Sequence, residues 1–166
     1  VYEKAFAKYK TGTTGDRPNI TKTAWGDPVW ATSLINGGKR YYYQTRSHTA
    51  DQLYQLVMAN SFRRRTFNPM TCYTYSTGQG VNYRGSNIAA SHAYTVLGWA
   101  YRDGKKYIII RNPWGRVEPT RNTLTGVVWA YDLSFWRPIN LAPNDGTFAL
   151  EASSFKHYFA GLGVAK

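Results

Sequence analysis

Cysteine is almost absent from this chain, and acidic residues and long apolar runs are also scarce. The single cysteine, Cys72, excludes an internal disulfide framework. Nine Asp and Glu residues stand against 21 Lys and Arg, which gives a net charge of +12. No stretch approaches the roughly 18 apolar residues of a membrane helix, so we expect no membrane span. The chain begins at Val1 rather than Met, so we expect it to be part of a longer protein, and the lack of a signal peptide excludes little.

The positive charge could bring the chain to nucleic acid, to an anionic membrane or to an acidic protein. The basic residues are scattered, however, and the only dense run, at residues 63–65, has no nucleic-acid motif around it. We therefore do not expect a nucleic-acid partner. A solvated face, or a surface that meets an acidic part of the same protein, fits the pattern better.

The composition predicts a single domain over residues 1–166. Hydrophobic residues make up 43% of the chain and aromatic residues 16%, which is enough for a core. The pattern favours an α+β fold, an antiparallel sheet curled into an open barrel with a few flanking helices. Helices are predicted near residues 1–9, 28–36 and 50–60, strands at 39–45, 66–75, 91–101, 106–111 and 147–150, a mobile loop at 76–90, and a short helix or strand at 155–159.

Capping signals mark the ends of these helices. Asp27 followed by Pro28 is an N-cap with Pro at the first helical position, and Gly37 ends that helix. Thr49 and Gln52 form a capping box for the next one. The first helix is already in progress where the sequence begins, with an apolar face formed by Val1, Tyr2, Ala5, Phe6 and Tyr9.

The strongest functional signal is a pair of residues on two successive strands, His92 and Asn112. Such a pair would supply two members of a Cys-His-Asn triad, in which the Asn side-chain oxygen accepts a ring N–H and orients the imidazole. Because the amide is uncharged, the imidazolium stays available as an acid. Trp114 stands close enough to Asn112 to cover their hydrogen bond from water.

The hairpin between the two strands sets a geometric condition on this pair. A two-residue turn at residues 103–104 places Thr95 opposite Asn112, and His92 then points to the other face of the sheet. The two side chains can meet only if the hairpin contains a bulge or an odd-length loop, or if Asn112 lies beyond the strand end. Pro113 favours the last arrangement, because it cannot continue a ladder. We predict a bulge or a loop there.

Each of these residues also has an ordinary structural reading. A His at a strand start is usually a hydrogen-bonded surface or core residue, and Asn-Pro is usually a turn. His48 and His157 have no partner at ligand spacing and are read as structural or exposed, and the three His lack metal spacing with Cys72. Cys72 lies in a β-like run upstream of His92, so the nucleophile of a triad is missing and the sequence looks like half of an enzyme.

Short motifs in a fixed order span nearly the whole chain. They read Glu-Lys-Ala-Phe-Ala-Lys at residues 3–8, Asn-Gly-Gly at 36–38, Ser-His-Ala-Tyr-Thr-Val at 91–96, Arg-Asn-Pro-Trp-Gly at 111–115, and Asp-Gly-Thr-Phe through Phe-Lys-His-Tyr-Phe at 145–159. In this order they resemble the motifs Glu-Lys-Ala-Tyr-Ala-Lys, Thr-Gly-Gly, Gly-His-Ala-Tyr-Ser-Val, Arg-Asn-Pro-Trp-Gly, Asp-Gly-Glu-Phe and Phe-x-x-His-Phe of the calpain family.

The resemblance implies the C-terminal, β-rich lobe of a papain-like cysteine protease. In that family the active-site Cys and the oxyanion-hole Gln lie on the preceding helical lobe, which these residues do not include. By resemblance, His92 is the acid and base, Asn112 orients it, and Trp114 shields the pair and lines the cleft. Cys72 matches a non-catalytic Gly-Cys-Ser region and is expected to be a buried structural thiol. Calpains are usually intracellular, whereas this composition would also suit a secreted bacterial protein, so the compartment stays open.

Departures from the family motifs fall at the site. Ser91 replaces the Gly before the His, where family members contact substrate through the backbone. The family also binds calcium in this lobe, and Glu118 and Asp145 match two of its ligands. Thr147 replaces a second acid and Thr125 stands where a further Asp is expected. Calcium prefers about six to eight oxygen ligands, so the two lost acids count against it, and no cofactor is required for the chemistry.

The sequence therefore predicts the His/Asn half of a calpain-like cysteine endopeptidase, inactive alone. Its partner is a Cys-bearing N-terminal lobe or chain, preceding in the sequence or released by autoprocessing, and a polypeptide substrate lies between the lobes. One alternative is a binding module that holds glycans or anionic polymers through exposed Trp and Tyr. Another is a degenerate calpain lobe that scaffolds or regulates. A solvent-facing row of Trp residues would favour binding, and contact between His92 and Asn112 would favour the protease. The row would contain Trp25, Trp30, Trp99, Trp129 and Trp136.

Overall fold

A computed structural model describes residues 2–166, apart from the side chain of Tyr2. Its helices are α1 (Tyr2–Thr11), α2 (Pro28–Asn36), α3 (Ala50–Ala59) and α4 (Ala152–Tyr158), with short 3-10 helices at Ile20–Thr23 and Thr45–Ser47. Its strands are β1 (Arg40–Gln44), β2 (Ser61–Phe62), β3 (Arg65–Thr74), β4 (Ala93–Arg102), β5 (Lys105–Arg111), β6 (Thr123–Leu124), β7 (Val127–Tyr131), β8 (Trp136–Asn140), β9 (Thr147–Glu151) and β10 (Phe159–Ala165). The predicted contributions of Val1 and of the Tyr2 side chain to the apolar face of α1 lie outside the described residues.

The strands form one large antiparallel sheet and one small one. The large sheet has the order β1-β10-β3-β4-β5-β9-β6, with β2 paired to β3, and the small sheet pairs β7 with β8. This confirms the predicted α+β fold. The sheet stays open rather than closing into a barrel, since its edge strands β1 and β6 do not pair with each other. No helix among residues 2–166 is long and apolar enough to span a membrane.

The core lies on both faces of the large sheet, and β5 contributes to each side. Ile108 and Ile110 pack with Leu53 of α3 and Phe155 of α4 on one face. Ile109 packs on the other face, where β7 and β8 cover the sheet. Side chains alternate along a strand, so three consecutive isoleucines supply both layers. The strand that ends at Asn112 is therefore fixed from above and below.

The capping signals act as predicted. Asp27 accepts hydrogen bonds from the backbone N–H groups of the first turn of α2, and the helix ends at Gly37 with φ of 70°. Thr49 and Gln52 form the capping box of α3. The predicted strands appear within one or two residues of β1, β3, β4, β5 and β9. Residues 76–90 form no helix or strand, as predicted, but Ile88 within them is buried in the core.

The sequence did not predict β10, which lies between β1 and β3 inside the sheet. Its glycines hide the usual strand pattern, yet neighbours require them. A Cβ at Gly161 would come within 2.2 Å of the Tyr73 ring, and one at Gly163 within 2.0 Å of Val29 on α2. The short helix or strand predicted at residues 155–159 is the end of α4 followed by the start of β10.

Candidate active site

The hairpin of β4 and β5 contains a bulge, one of the arrangements that would let His92 and Asn112 meet. The turn pairs Arg102 with Lys105, but the register shifts between Val96 and Gly98, so that Leu97 has no partner of its own on β5. Thr95 consequently lies opposite Arg111, the last residue of β5, instead of Asn112. Because of the extra residue, the side chains at the start of β4 point to the opposite face of the sheet from the one they would occupy in a regular hairpin. Two of the arrangements that the sequence left open thus occur together: the hairpin contains a bulge, and Asn112 lies directly after the last residue of β5.

A close backbone approach accompanies the bulge. A Cβ at Gly98 would lie 1.9 Å from the carbonyl oxygen of Arg64, in the turn between β2 and β3. The same carbonyl accepts the backbone N–H of Trp99 at 3.1 Å. Arg63 and Arg64 both have positive φ, as a tight turn of this kind requires. The densest basic run of the sequence thus forms a hairpin turn that packs against the bulged strand.

His92 is held by its backbone just before β4 begins. Its N–H donates to the hydroxyl of buried Thr74 at 3.0 Å, and its carbonyl accepts the Thr74 N–H at 3.0 Å. The Thr74 hydroxyl donates in turn to the carbonyl of Ala89 at 2.7 Å. Ser91 stands at φ 52°, the left-handed region that glycine adopts more readily. Sequence reasoning missed Thr74, because nothing in its neighbourhood of the chain marks it.

Asn112 meets His92 directly, and all of its polar groups are occupied. The distance between His92 Nε2 and Asn112 Oδ1 is 3.0 Å. The same oxygen accepts the Trp114 N–H at 3.1 Å, while Nδ2 donates to the carbonyls of Arg116 at 2.9 Å and Val117 at 3.3 Å. Asn112 is fully buried. Two carbonyls facing Nδ2 fix the orientation of the amide, so the oxygen must face the imidazole.

This orientation also fixes the tautomer of neutral His92. An amide oxygen can only accept, so Nε2 carries the hydrogen and Nδ1 holds a lone pair. Within residues 2–166, Nδ1 has no hydrogen-bond partner. It is the ring nitrogen available to a group that approaches from outside these residues.

Aromatic rings enclose the imidazole on two sides. The Trp114 ring lies 4.2 Å from that of His92 between centroids, tilted by 33°, and Tyr94 meets it edge-on at 4.7 Å. Burial raises the pKa of Tyr94 to about 12, so its ring stays neutral. Trp114 itself is 56% exposed. Trp114 covers one face of the imidazole, and His92 itself is half-buried.

A groove of about 1230 Å³ opens beside His92. Pro113 and Trp114 lie along one part of it, and Trp25, Tyr42 and Tyr73 are among the residues along the rest. Ser91 and His92 are both in its lining, which places the two residues at the edge of a space large enough for an extended peptide.

Cys72 is unsuited to act as the nucleophile. It is fully buried within the apolar core, in register with Tyr94 on the neighbouring strand. Burial raises the pKa of its thiol well above the usual range, so the thiolate is suppressed. His157 is exposed, and His48 forms a hydrogen bond from Nδ1 to the carbonyl of Gln44 at 2.8 Å. Neither is placed beside Cys72 as a base.

Comparison with known proteins gives the family of this fold and site. The model of the calpain family of cysteine proteases matches residues 1–166. The chain belongs to the calpain family. It is 29% identical over 164 residues to a protein named "Thiol protease" from Porphyromonas gingivalis (strain ATCC BAA-308 / W83), an alignment that covers 96% of this chain and 34% of that protein. The chain thus spans about a third of the length of this curated relative.

The calpain resemblance implies a calcium ion near Glu118 and Asp145, and the donor set does not fit one well. Glu118 Oε1 accepts the N–H of Gly146 at 2.7 Å, and Asp145 Oδ1 accepts the N–H of Thr147 at 2.9 Å. Burial raises the pKa of the Glu118 carboxyl, and the backbone hydrogen bond from Gly146 opposes that rise. Across residues 2–166, no three His, Cys, Asp or Glu side chains come together as a metal site. Two carboxylates fall short of the ligands calcium prefers.

Proposed function

We propose that this chain is the His/Asn-bearing half of a calpain-like cysteine endopeptidase, whose catalytic cysteine comes from a helical lobe or chain outside these 166 residues. The cysteine-bearing part is either the preceding sequence or the other product of autoprocessing. The single observation that carries the proposal is the contact between His92 Nε2 and Asn112 Oδ1 at 3.0 Å beside an open groove.

The burial of the single cysteine of this chain, Cys72, supports the same proposal. A thiol protease needs a thiolate within reach of the imidazole, and Cys72 is a buried thiol in the core. The imidazole, by contrast, keeps Nδ1 free for a partner while Asn112 holds Nε2. The proposal therefore assigns the nucleophile, together with the oxyanion-hole Gln, to the cysteine-bearing part.

The reaction follows from these positions. The thiolate of the incoming cysteine pairs with His92 in its imidazolium form and attacks the carbonyl carbon of a peptide lying in the groove. The C–N bond breaks as Nδ1–H gives its proton to the leaving amine, which leaves a thioester. Nδ1 then takes a proton from water as the water attacks the thioester, and the carboxylate product leaves with the thiolate restored. Asn112 holds the ring in place through both proton transfers.

The test combines this chain with the cysteine-bearing part and follows cleavage of a fluorogenic peptide. His92→Ala should lower kcat/KM by at least about 10²-fold, because it removes the acid and base. His157→Ala is the matched control, since this exposed His contributes no hydrogen bond to the site. Cleavage by His92→Ala at the rate of the control would refute the role of His92. The chain alone should show no cleavage.

A second candidate function is binding of an anionic polymer or glycan, and exposed aromatic residues favour it. Trp129 is 53% exposed and Trp136 47%, and both lie on the outer face of the small sheet. The guanidinium of Arg63 lies 4.9 Å from the ring centre of Tyr131 on that face. The predicted row is incomplete, however, because Trp30 and Trp99 are half-buried and Trp25 lines the groove instead.

This second function is tested by binding to a sulfated polysaccharide at increasing salt. Trp129→Ala with Trp136→Ala should weaken binding by roughly 10-fold or more if the rings stack on the ligand. Trp25→Ala, an exposed Trp that lies away from the small sheet, is the control. Equal binding by both variants would exclude the small sheet as the binding face.

A further inference from the structure

We infer that Glu118 is a positioning residue for Asn112. It holds the loop around Asn112 through a hydrogen bond to Gly146, at the place where the family resemblance puts a calcium ion. The inference concerns how the half-site is held together, and it stands whether or not the chain cleaves peptides.

The link between Glu118 and Asn112 runs through one glycine. Glu118 Oε1 accepts the N–H of Gly146 at 2.7 Å, and the carbonyl of Gly146 accepts the N–H of Asn112 at 2.8 Å. On its other side, the carbonyl of Asn112 accepts the N–H of Gly115 at 3.0 Å. The Glu118 carboxylate thus holds Gly146 in place, and Gly146 in turn holds the backbone of Asn112.

The two loops joined in this way touch without any side chain between them. Gly146 has φ of 89°, and a Cβ there would lie 2.7 Å from the carbonyl oxygen of Asn112 and 3.0 Å from Cα of Gly115. The backbone of the segment that follows β8 therefore packs directly on the loop that follows β5. A shift of Gly146 by a few tenths of an ångström would be transmitted to Asn112.

The carboxylates near this contact already have protein partners. One oxygen of Glu118 and one of Asp145 accept backbone N–H groups, and Thr147 offers a hydroxyl where a third acid would stand. Calcium takes about six to eight oxygens, several of them from carboxylates. A hydrogen-bonded loop needs only the one acceptor that Glu118 supplies.

The two roles make opposite predictions for Glu118→Gln. A carboxamide oxygen can accept the Gly146 N–H in the same shape, so a hydrogen-bond acceptor survives this change. A calcium ligand does not, since the change removes one of two charges from an already poor donor set. Glu118→Ala removes the side-chain oxygen under both roles, so it serves as the reference against which Glu118→Gln is compared.

Hydrogen exchange of the backbone amides, followed by mass spectrometry on the full-length protease, is the primary measurement. Glu118→Ala should speed exchange in peptides covering residues 112–118 and 143–148 by roughly 10- to 100-fold, as expected for the loss of a buried hydrogen bond. Glu118→Gln should exchange like the parent protein. Glu151→Ala is the matched control, a half-buried Glu on β9 that leaves both segments unchanged.

Addition of calcium, or of a chelator, separates the two roles further. We expect no change in exchange or in melting temperature for the parent protein or for Glu118→Gln. Calcium that slows exchange in the parent but not in Glu118→Gln would overturn the inference, as would a Glu118→Gln variant that behaves like Glu118→Ala. In the cleavage assay, Glu118→Ala should lower kcat with little change in KM, and Glu118→Gln should restore it. Loss of exchange protection with no cleavage in any variant would reject the proposed function alone.

Discussion

Replacement of Asn112 by Asp tests the orientation of the amide most sharply. An Asp keeps an oxygen for His92 Nε2, so an account in which Asn112 only accepts a hydrogen bond from the imidazole predicts a functional variant. The structure predicts otherwise. Nδ2 donates to the carbonyls of Arg116 at 2.9 Å and Val117 at 3.3 Å, and a carboxylate would set an acceptor against two acceptors.

The magnitude follows from those two contacts. The two carbonyls belong to exposed residues, so each lost hydrogen bond costs about 0.5–1.5 kcal/mol, and the longer bond to Val117 is the weaker one. We therefore expect Asn112→Asp to lower the free energy of unfolding by about 1–3 kcal/mol, before any cost of placing a charge at a fully buried position. Asn112→Ala loses the same two donors and also releases the imidazole.

Urea unfolding of the parent and of both variants measures the stability change, and peptide cleavage by the assembled protease measures the functional one. We expect both variants to be destabilised and to lose on the order of 10²-fold in kcat. NMR of the ring nitrogens should show the Nε2–H tautomer of neutral His92 in the parent. An Asn112→Asp variant as stable as the parent would show that the Nδ2 contacts are not formed and would undo the argument for the amide orientation.

Three further predictions concern residues that hold the site in place. Gly98→Ala should lower stability by about 1–3 kcal/mol and reduce kcat, because its Cβ would lie 1.9 Å from the Arg64 carbonyl and must displace the bulge; an unchanged melting curve would contradict this. Thr74→Val removes the hydroxyl that accepts the His92 N–H at 3.0 Å, and should cost about 1–3 kcal/mol in urea unfolding with a loss of kcat that Thr74→Ser recovers. Cys72→Ala should retain cleavage per folded molecule and lose only stability, whereas loss of cleavage in a folded Cys72→Ala variant would make Cys72 the nucleophile.

The sequence predicted the hairpin geometry that His92 and Asn112 need in order to meet better than it predicted the residues that hold them in place. A two-residue turn and the alternation of side chains showed that a regular hairpin would keep His92 and Asn112 apart, and left a bulge, an odd-length loop or a position of Asn112 beyond the strand as the ways for them to meet. The structure has a bulge at Leu97, and Asn112 directly follows β5. The position of the bulge could not be foreseen, because it depends on the Arg64 carbonyl reaching Gly98 from a different hairpin.

Contacts made across the chain account for most of what was missed. Thr74 reaches His92 from another strand. The segment of β10 is a strand because it pairs with β1 and β3, and its glycines are needed because Tyr73 and Val29 fill the space beside them. Capping residues and apolar runs act within a few positions of themselves, which is why the helices and the central strands were predicted closely. Glu118 was noted only as a ligand by resemblance, and its hydrogen bond to Gly146 depends on a loop far along the chain.

If the chain acts as proposed, the hydrogen bonds of Asn112 have a consequence for how the protease is controlled. Every donor and acceptor on that side chain already has a partner within this chain, so docking of the cysteine-bearing half would need no change in it. A switch would not have to reshape His92 or Asn112. A change in the distance between this half and the cysteine-bearing half would be enough.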